Sequence, residues 1–217
     1  MLVIITCILV GIFMLNFFLY WIFFLNTERK ISKLWDIYTQ IYFIIWTSII
    51  ILIPIITSSY LSLLFDSELF FQFPNMSLQV IFFILGLILI MLSLKFGIST
   101  MKLNNMRGLA KGKFQLITKG VYKIMRHPMN TSWAVFFLGL ALIFESLIAL
   151  IIFPFFVLLL WLEGFLEEKI LLIPLFGEKY EKYKEKTRSR MFPSPYNVLL
   201  ILIIIFIVYI YILNMVT

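Results

Sequence analysis

The placement of charge along this chain leaves it few folds to choose from. All 18 Lys and Arg fall into three windows. The first holds Arg29, Lys30 and Lys33. The second runs from Lys95 through Lys102, Arg107, Lys111, Lys113, Lys119 and Lys123 to Arg126 without one acid, and the third runs from Lys169 to Arg190. Uncharged runs occupy residues 1–27, 37–65, 69–94, 128–144, 146–162 and 191–217. A helix needs about 20 apolar residues to cross the hydrocarbon core, within a range of about 17–25. With 63% hydrophobic and 13% charged residues, the chain also lacks the polar surface to cover a soluble globule. The expected fold is an all-α, polytopic membrane helix bundle with about six transmembrane helices.

If each uncharged run crosses once, the three basic windows fall on one side, which the excess of Lys and Arg in cytoplasmic loops makes the cytosol. The Asp66/Glu68 loop, Glu145 and both termini then fall on the opposite side. The stretch 128–162 admits two forms. From Trp133 to Phe144 is about 18 Å of helix at 1.5 Å per residue, short for a crossing. One helix from Trp133 to Leu162 would bury Glu145 in hydrocarbon and move the third basic window outside. A tight helical hairpin turning at Glu145-Ser146 is therefore expected. The first run is read as a retained span, because no basic residue precedes Arg29 and no small-residue cleavage site follows.

Several chemistries drop out. Cys7 has no partner for an intrachain disulfide, and the single His127 excludes a multi-His metal site, so no metal is expected. The net charge of +7 follows from loop bias, and no nucleic-acid partner is expected. The expected partners are membrane lipids, without an obligate protein partner.

Two polar clusters stand out. In the first, Lys119 to Asn130, Pro128 disfavours the α conformation for His127 and suits the first turn of a following helix. His127 then caps that helix beside Arg126, where backbone N–H groups attract carboxylate or phosphate. An interfacial Arg-His pair facing headgroups would look the same. In the second, Glu163-Gly164-Phe165-Leu166-Glu167-Glu168-Lys169, Glu163 and Glu167 share a helix face while Glu168 points about 100° away. Solvated acids and carboxylates aimed at a cationic ligand both fit. Downstream, Tyr180 and Tyr183 share a face at i, i+3 among alternating Glu and Lys, as in an amphipathic helix lying on a membrane.

Together, Gly120-Val121-Tyr122…Arg126-His127-Pro128, Glu167-Glu168…Leu171 and Phe176-Gly177…Tyr180…Tyr183 resemble the isoprenylcysteine carboxyl methyltransferase and phospholipid methyltransferase family. Its pattern reads roughly G-x-Y-x-x-x-R-H-P-x-Y, E-E-x-x-L, F-G-x-x-Y-x-x-Y, then a basic residue and F/L-x-P. The resemblance covers about residues 95–193. It implies an integral membrane methyltransferase using S-adenosylmethionine, with a cytosolic cofactor pocket and a lipid-like or small hydrophobic acceptor, most like isoprenylcysteine carboxyl O-methylation. Phospholipid N-methylation and thiol S-methylation are the alternatives.

The resemblance also implies roles. Gly120, Tyr122, Arg126, His127 and Pro128 would shape one wall of the cofactor site, Glu167 and Glu168 would hold its cationic end, and Tyr180 and Tyr183 would close it. Arg126, His127 and Glu168 would act at the chemistry. Asn130 departs from the pattern, which has Tyr there. The implied organisation is three N-terminal transmembrane helices in 1–94, a methyltransferase-like core in 95–195 and a C-terminal transmembrane helix in 196–217. The rivals are a sterol-reductase-like enzyme, whose NADPH phosphates two acids would suit poorly, and a non-enzymatic membrane protein, which leaves both clusters unexplained.

Overall fold

A computed structural model of the chain describes residues 2–26, 33–58, 76–105 and 115–216, and these are helical almost throughout. The apolar runs become α1 (Leu2–Asn26), α2 (Lys33–Ile56), α3 (Met76–Asn105), α4 (Pro128–Ile143), α5 (Leu147–Glu167) and, near the C-terminus, α8 (Tyr196–Val216). Between α5 and α8, a π-helical turn at Glu168–Leu172 leads into the short α6 (Ile173–Phe176) and then α7 (Glu178–Lys186). By length and composition Ile4–Ile22, Leu78–Leu103 and Leu147–Phe176 can each cross a membrane, and Gln40–Ile56, Pro128–Ile143 and Tyr196–Phe206 are shorter apolar helices. One apolar helix thus matches each uncharged run, as an all-α membrane bundle requires. The loop with Asp66 and Glu68, and the basic residues Arg29, Lys30, Arg107, Lys111 and Lys113, lie outside the described residues.

Residues 128–167 form the hairpin. Phe144, Glu145 and Ser146 join α4 to α5, with Glu145 at φ 47°. The Ser146 hydroxyl accepts the Ala149 amide at 3.0 Å and so caps α5. It also meets the Thr57 hydroxyl at 2.5 Å, which ties the end of α2 to the turn. Helix α3 continues past Lys95 and Lys102 to Asn105.

Helix α4 is the centre of the bundle, packed against α2, α3 and α5. That explains why a helix apolar all round is buried all round: Ala134, Phe137, Leu138, Ala141 and Leu142 are at most 1% exposed. An aromatic cluster links four helices, with Phe13 of α1, Trp46 of α2, Phe137 of α4 and Phe156 of α5 in ring contact at centroid distances of 4.8–6.0 Å.

The α3–α4 contact is closer still and is built from small residues. Gly86 and Gly139 face each other so tightly that a Cβ on either would come within 2.9 Å of the other's carbonyl oxygen. Further along the same seam, the Ser132 hydroxyl donates to the Ser93 carbonyl at 2.6 Å and lies beside Gly97. In lipid, where apolar surface alone gives helices little reason to associate, such close approach is how they pair.

Replacing Gly139 with Leu should therefore destabilise the bundle by about 1–3 kcal/mol or more through overpacking. Gly11→Leu is the control, since nothing lies within 4 Å of its added Cβ. Thermal unfolding in lipid nanodiscs reads the difference; equal midpoints for the two variants would refute the seam.

Candidate functional site

The two motif clusters meet at the end of the bundle where α3 stops, α4 begins and α5 gives way to the π-helical turn. The local backbone follows from a few residues. Gly120 takes φ 64° and opens a single 3-10 turn, Gly120–Lys123, against Leu103 of α3. Gly177 takes φ 51° and ψ −130° at the junction of α6 and α7, a conformation essentially closed to other residues. His127 lies outside the helical region at φ −121° and ψ 68°, in keeping with the following proline, and Pro128 begins α4.

Glu168 is the hub. Its side chain is 3% exposed, and its two oxygens receive Arg126 Nε at 2.8 Å, His127 Nε2 at 3.0 Å and Arg190 Nη2 at 3.1 Å. Arg126 is spent entirely inside the fold: beyond Glu168, its Nη1 donates to the carbonyls of Thr187 and Arg188, each at 2.7 Å. Backbone bonds from Arg126 to Ser189 and from His127 to Arg190 fasten the 187–190 segment alongside. Arg190 also lies 4.4 Å over the Trp161 ring, a cation–π contact.

Glu167 turns the other way. Its Oε2 lies 3.2 Å from His127 Nδ1, and its side chain stays 34% exposed. His127 is thus held by a carboxylate on each ring nitrogen, with its imidazole flat against Gly164, where a Cβ would come within 3.0 Å of the ring. Burial by itself lowers the imidazole's pKa, but the hydrogen bonds and charges of Glu167 and Glu168 outweigh it and hold the pKa above 6.5.

Glu163 and Glu167, one turn apart, both line a cavity of about 210 Å³ whose walls include Tyr20, Trp21, Phe43, Trp46 and Trp133. Asn130 and Met129 from the start of α4 and Leu171 from the π-helical turn complete it. Asn130 Nδ2 donates to the Leu160 carbonyl at 2.8 Å and to Glu163 Oε2 at 3.4 Å. On the outer side, Tyr122, Tyr180 and Tyr183 pack with Ile117 and Leu172. Tyr183 donates to the Tyr122 carbonyl at 2.7 Å. The Tyr180 hydroxyl is buried without a hydrogen-bond partner among the described residues, and burial, together with the charge of Glu168, pushes its pKa up.

The structure therefore gathers Gly120, Tyr122, Arg126, His127, Pro128, Glu167, Glu168, Tyr180 and Tyr183 at one end of the bundle, with Glu167 in the cavity and Glu168 behind it. Arg190, Gly164 and Tyr42 join them. For Arg190 a signal existed, its place in the basic stretch just before Phe192-Pro193; Gly164 and Tyr42 carried none.

Residues 81–179, a little under half of the chain, match the family model described as phospholipid methyltransferase. The match spans α3 to the start of α7 and takes in both polar clusters. Over these residues the chain is thus similar to a family of integral membrane methyltransferases that includes isoprenylcysteine carboxyl methyltransferases. No curated protein and no solved structure matches the chain.

Two outcomes test the ion cluster. Glu168→Gln leaves the buried Arg126 guanidinium and the partly buried one of Arg190 without their counter-charge and should cost about 3–5 kcal/mol of stability. A loss below about 1 kcal/mol would show that the cluster is not structural. Because the folded pKa of His127 is raised, its stabilising contribution is complete below about pH 6.5 and is lost as pH rises through the folded value. Thermal midpoints measured from pH 6 to 9 should fall in the wild type and flatten in His127→Gln.

Proposed function

We propose that the chain is an S-adenosylmethionine-dependent methyltransferase whose lipid-like or hydrophobic acceptor enters from the bilayer. The observation that carries this is the cavity-lining, partly exposed carboxylate of Glu167 among aromatic rings, set against a neutralised ion cluster. The cofactor would bring a sulfonium, an ammonium and a carboxylate. Carboxylate oxygens and ring faces suit the two cations. The buried Tyr180 hydroxyl, orphaned within electrostatic reach of Arg126, Glu167 and Glu168, is a donor that such a ligand would satisfy. The residues fit the group.

The roles divide accordingly. Glu167 holds the cationic end and Tyr180 donates to an acceptor atom. Arg126, His127, Glu168 and Arg190 form the wall that orients Glu167, and Gly120, Tyr122, Pro128 and Tyr183 brace the backbone around it. When bound, the cofactor supplies an electrophilic methyl group. The chain's contribution is alignment of the two reactants and exclusion of water. Carboxyl O-methylation of the isoprenylcysteine kind, phospholipid N-methylation and thiol S-methylation share these demands, and differ in the acceptor's head and in whether a proton must be removed. The gathering of Lys102, Lys119, Lys123, Lys169, Arg188 and Arg190 about this end of the helices supports placing the site at the cytosolic face.

A nicotinamide dinucleotide is disfavoured, since Glu163 and Glu167 line the cavity while Arg126 and Arg190 are turned onto Glu168. Purified protein should gain thermal stability with adenosylmethionine or its demethylated product and none with NADPH. Glu167→Gln should weaken that binding at least tenfold while shifting the unliganded midpoint little. Stabilisation by NADPH alone, or wild-type affinity in the variant, would overturn the assignment.

A further inference from the structure

We infer that Glu163 recognises the methyl acceptor and takes its proton, and that the acceptor is an apolar amine. The inference rests on the methyltransferase assignment above. Glu163 lies one turn before Glu167 on the same face of α5, so a cofactor held at Glu167 leaves Glu163 beside the transferring group.

The surroundings of Glu163 differ in kind from those of Glu168. Its Oε1 accepts from the Tyr42 hydroxyl at 3.4 Å and its Oε2 from Asn130 at 3.4 Å, both neutral donors at long range. It makes no salt bridge among the described residues, whereas Glu168 has two guanidinium groups and an imidazole within 3.1 Å. Glu163 is thus oriented without being neutralised. A carboxylate in an aromatic-walled cavity is the complement of an ammonium group, which gains both the ion pair and the ring faces. An anionic acceptor would instead meet the like charge of two carboxylates, which repels it.

Asn130 gives this arrangement a local cause. Its amide nitrogen has two hydrogens, one for the Leu160 carbonyl and one for Glu163. The tyrosine of the family pattern has a single O–H and could not serve both. The departure at this position therefore steadies the carboxylate that faces the acceptor.

The chemistry balances with the sulfonium donor. An acceptor ammonium gives one proton to a Glu163 oxygen, and the freed nitrogen lone pair forms the N–C bond to the methyl carbon. The C–S bond breaks with its pair left on sulfur as a thioether. The methylated ammonium departs, and Glu163 returns its proton to water.

The test uses the full chain in lipid nanodiscs, with dodecylamine and dodecanoate as probes of equal chain length. Quenching of tryptophan fluorescence reports binding, since Trp21, Trp46 and Trp133 line the cavity. Adenosylmethionine affinity is measured separately by calorimetry. The wild type should bind dodecylamine saturably and at least tenfold more tightly than dodecanoate. Glu163→Gln should weaken dodecylamine binding at least tenfold and leave adenosylmethionine binding within twofold.

Equal binding of the two probes by the wild type would overturn the inference. So would unchanged amine binding in Glu163→Gln, or a parallel loss of adenosylmethionine binding, which would place Glu163 in the cofactor site. If Glu163→Gln does not fold, Tyr42→Phe removes the hydroxyl that donates to Glu163 and should still weaken dodecylamine binding; wild-type affinity there would count against the proposal. Amine selectivity without adenosylmethionine binding would sink the methyltransferase assignment and leave the amine site standing.

Discussion

The arrangement of this protein depends on one carboxylate. Glu168 sits almost out of contact with solvent and is compensated by Arg126, His127 and Arg190, which come from two other parts of the chain. Removing such charges from water costs several kcal/mol each, so the group persists only because every partner is present and well placed. The geometry constrains its neighbours in turn. Arg126 and His127 are tied to the backbone of residues 189–190, and Glu168 opens the π-helical turn that leads to α6. Where the bundle itself relies on close backbone approach and aromatic packing, this end relies on charge.

The consequence is a division of labour among adjacent acids. Glu168 is consumed in holding three elements together, Glu167 is shared between His127 and the cavity, and Glu163 is left with neutral donors. Two turns of this part of the chain therefore present carboxylates in three different electrostatic states. That gradient, more than the number of acids, lets one site favour cationic groups without collapsing onto its own arginines. The aromatic walls contribute from helices outside the matched domain, through Tyr20, Trp21, Phe43 and Trp46. The N-terminal helices thus shape the cavity although they carry no motif.

Much of this was legible beforehand. The spans follow from the cost of burying charge in hydrocarbon, so the placement of the charged residues, acids included, predicts α1, α2, α3 and α8. The hairpin at Glu145-Ser146 follows from the same cost. The separation of Glu168 from Glu163 and Glu167 follows from helical geometry, and the non-helical conformation of His127 from the proline after it. What stayed hidden was who meets whom. Nothing in the neighbourhood of Gly164 announces that it makes room for an imidazole, and nothing near Tyr42 ties it to a carboxylate more than a hundred residues away. Arg126 illustrates the limit best: beside a helix N-terminus it reads as an anion receptor, whereas each of its three side-chain nitrogens donates to Glu168 or to the carbonyls of 187 and 188.

The sequence by itself determined the class of the molecule, its helical spans and the residue types gathered at one end, because period, length and charge are local properties read against a known solvent. Only the tertiary structure decided which acids are neutralised and which face the cavity. Electrostatic state depends on distances between groups brought together by packing, and no spacing along the chain encodes those distances.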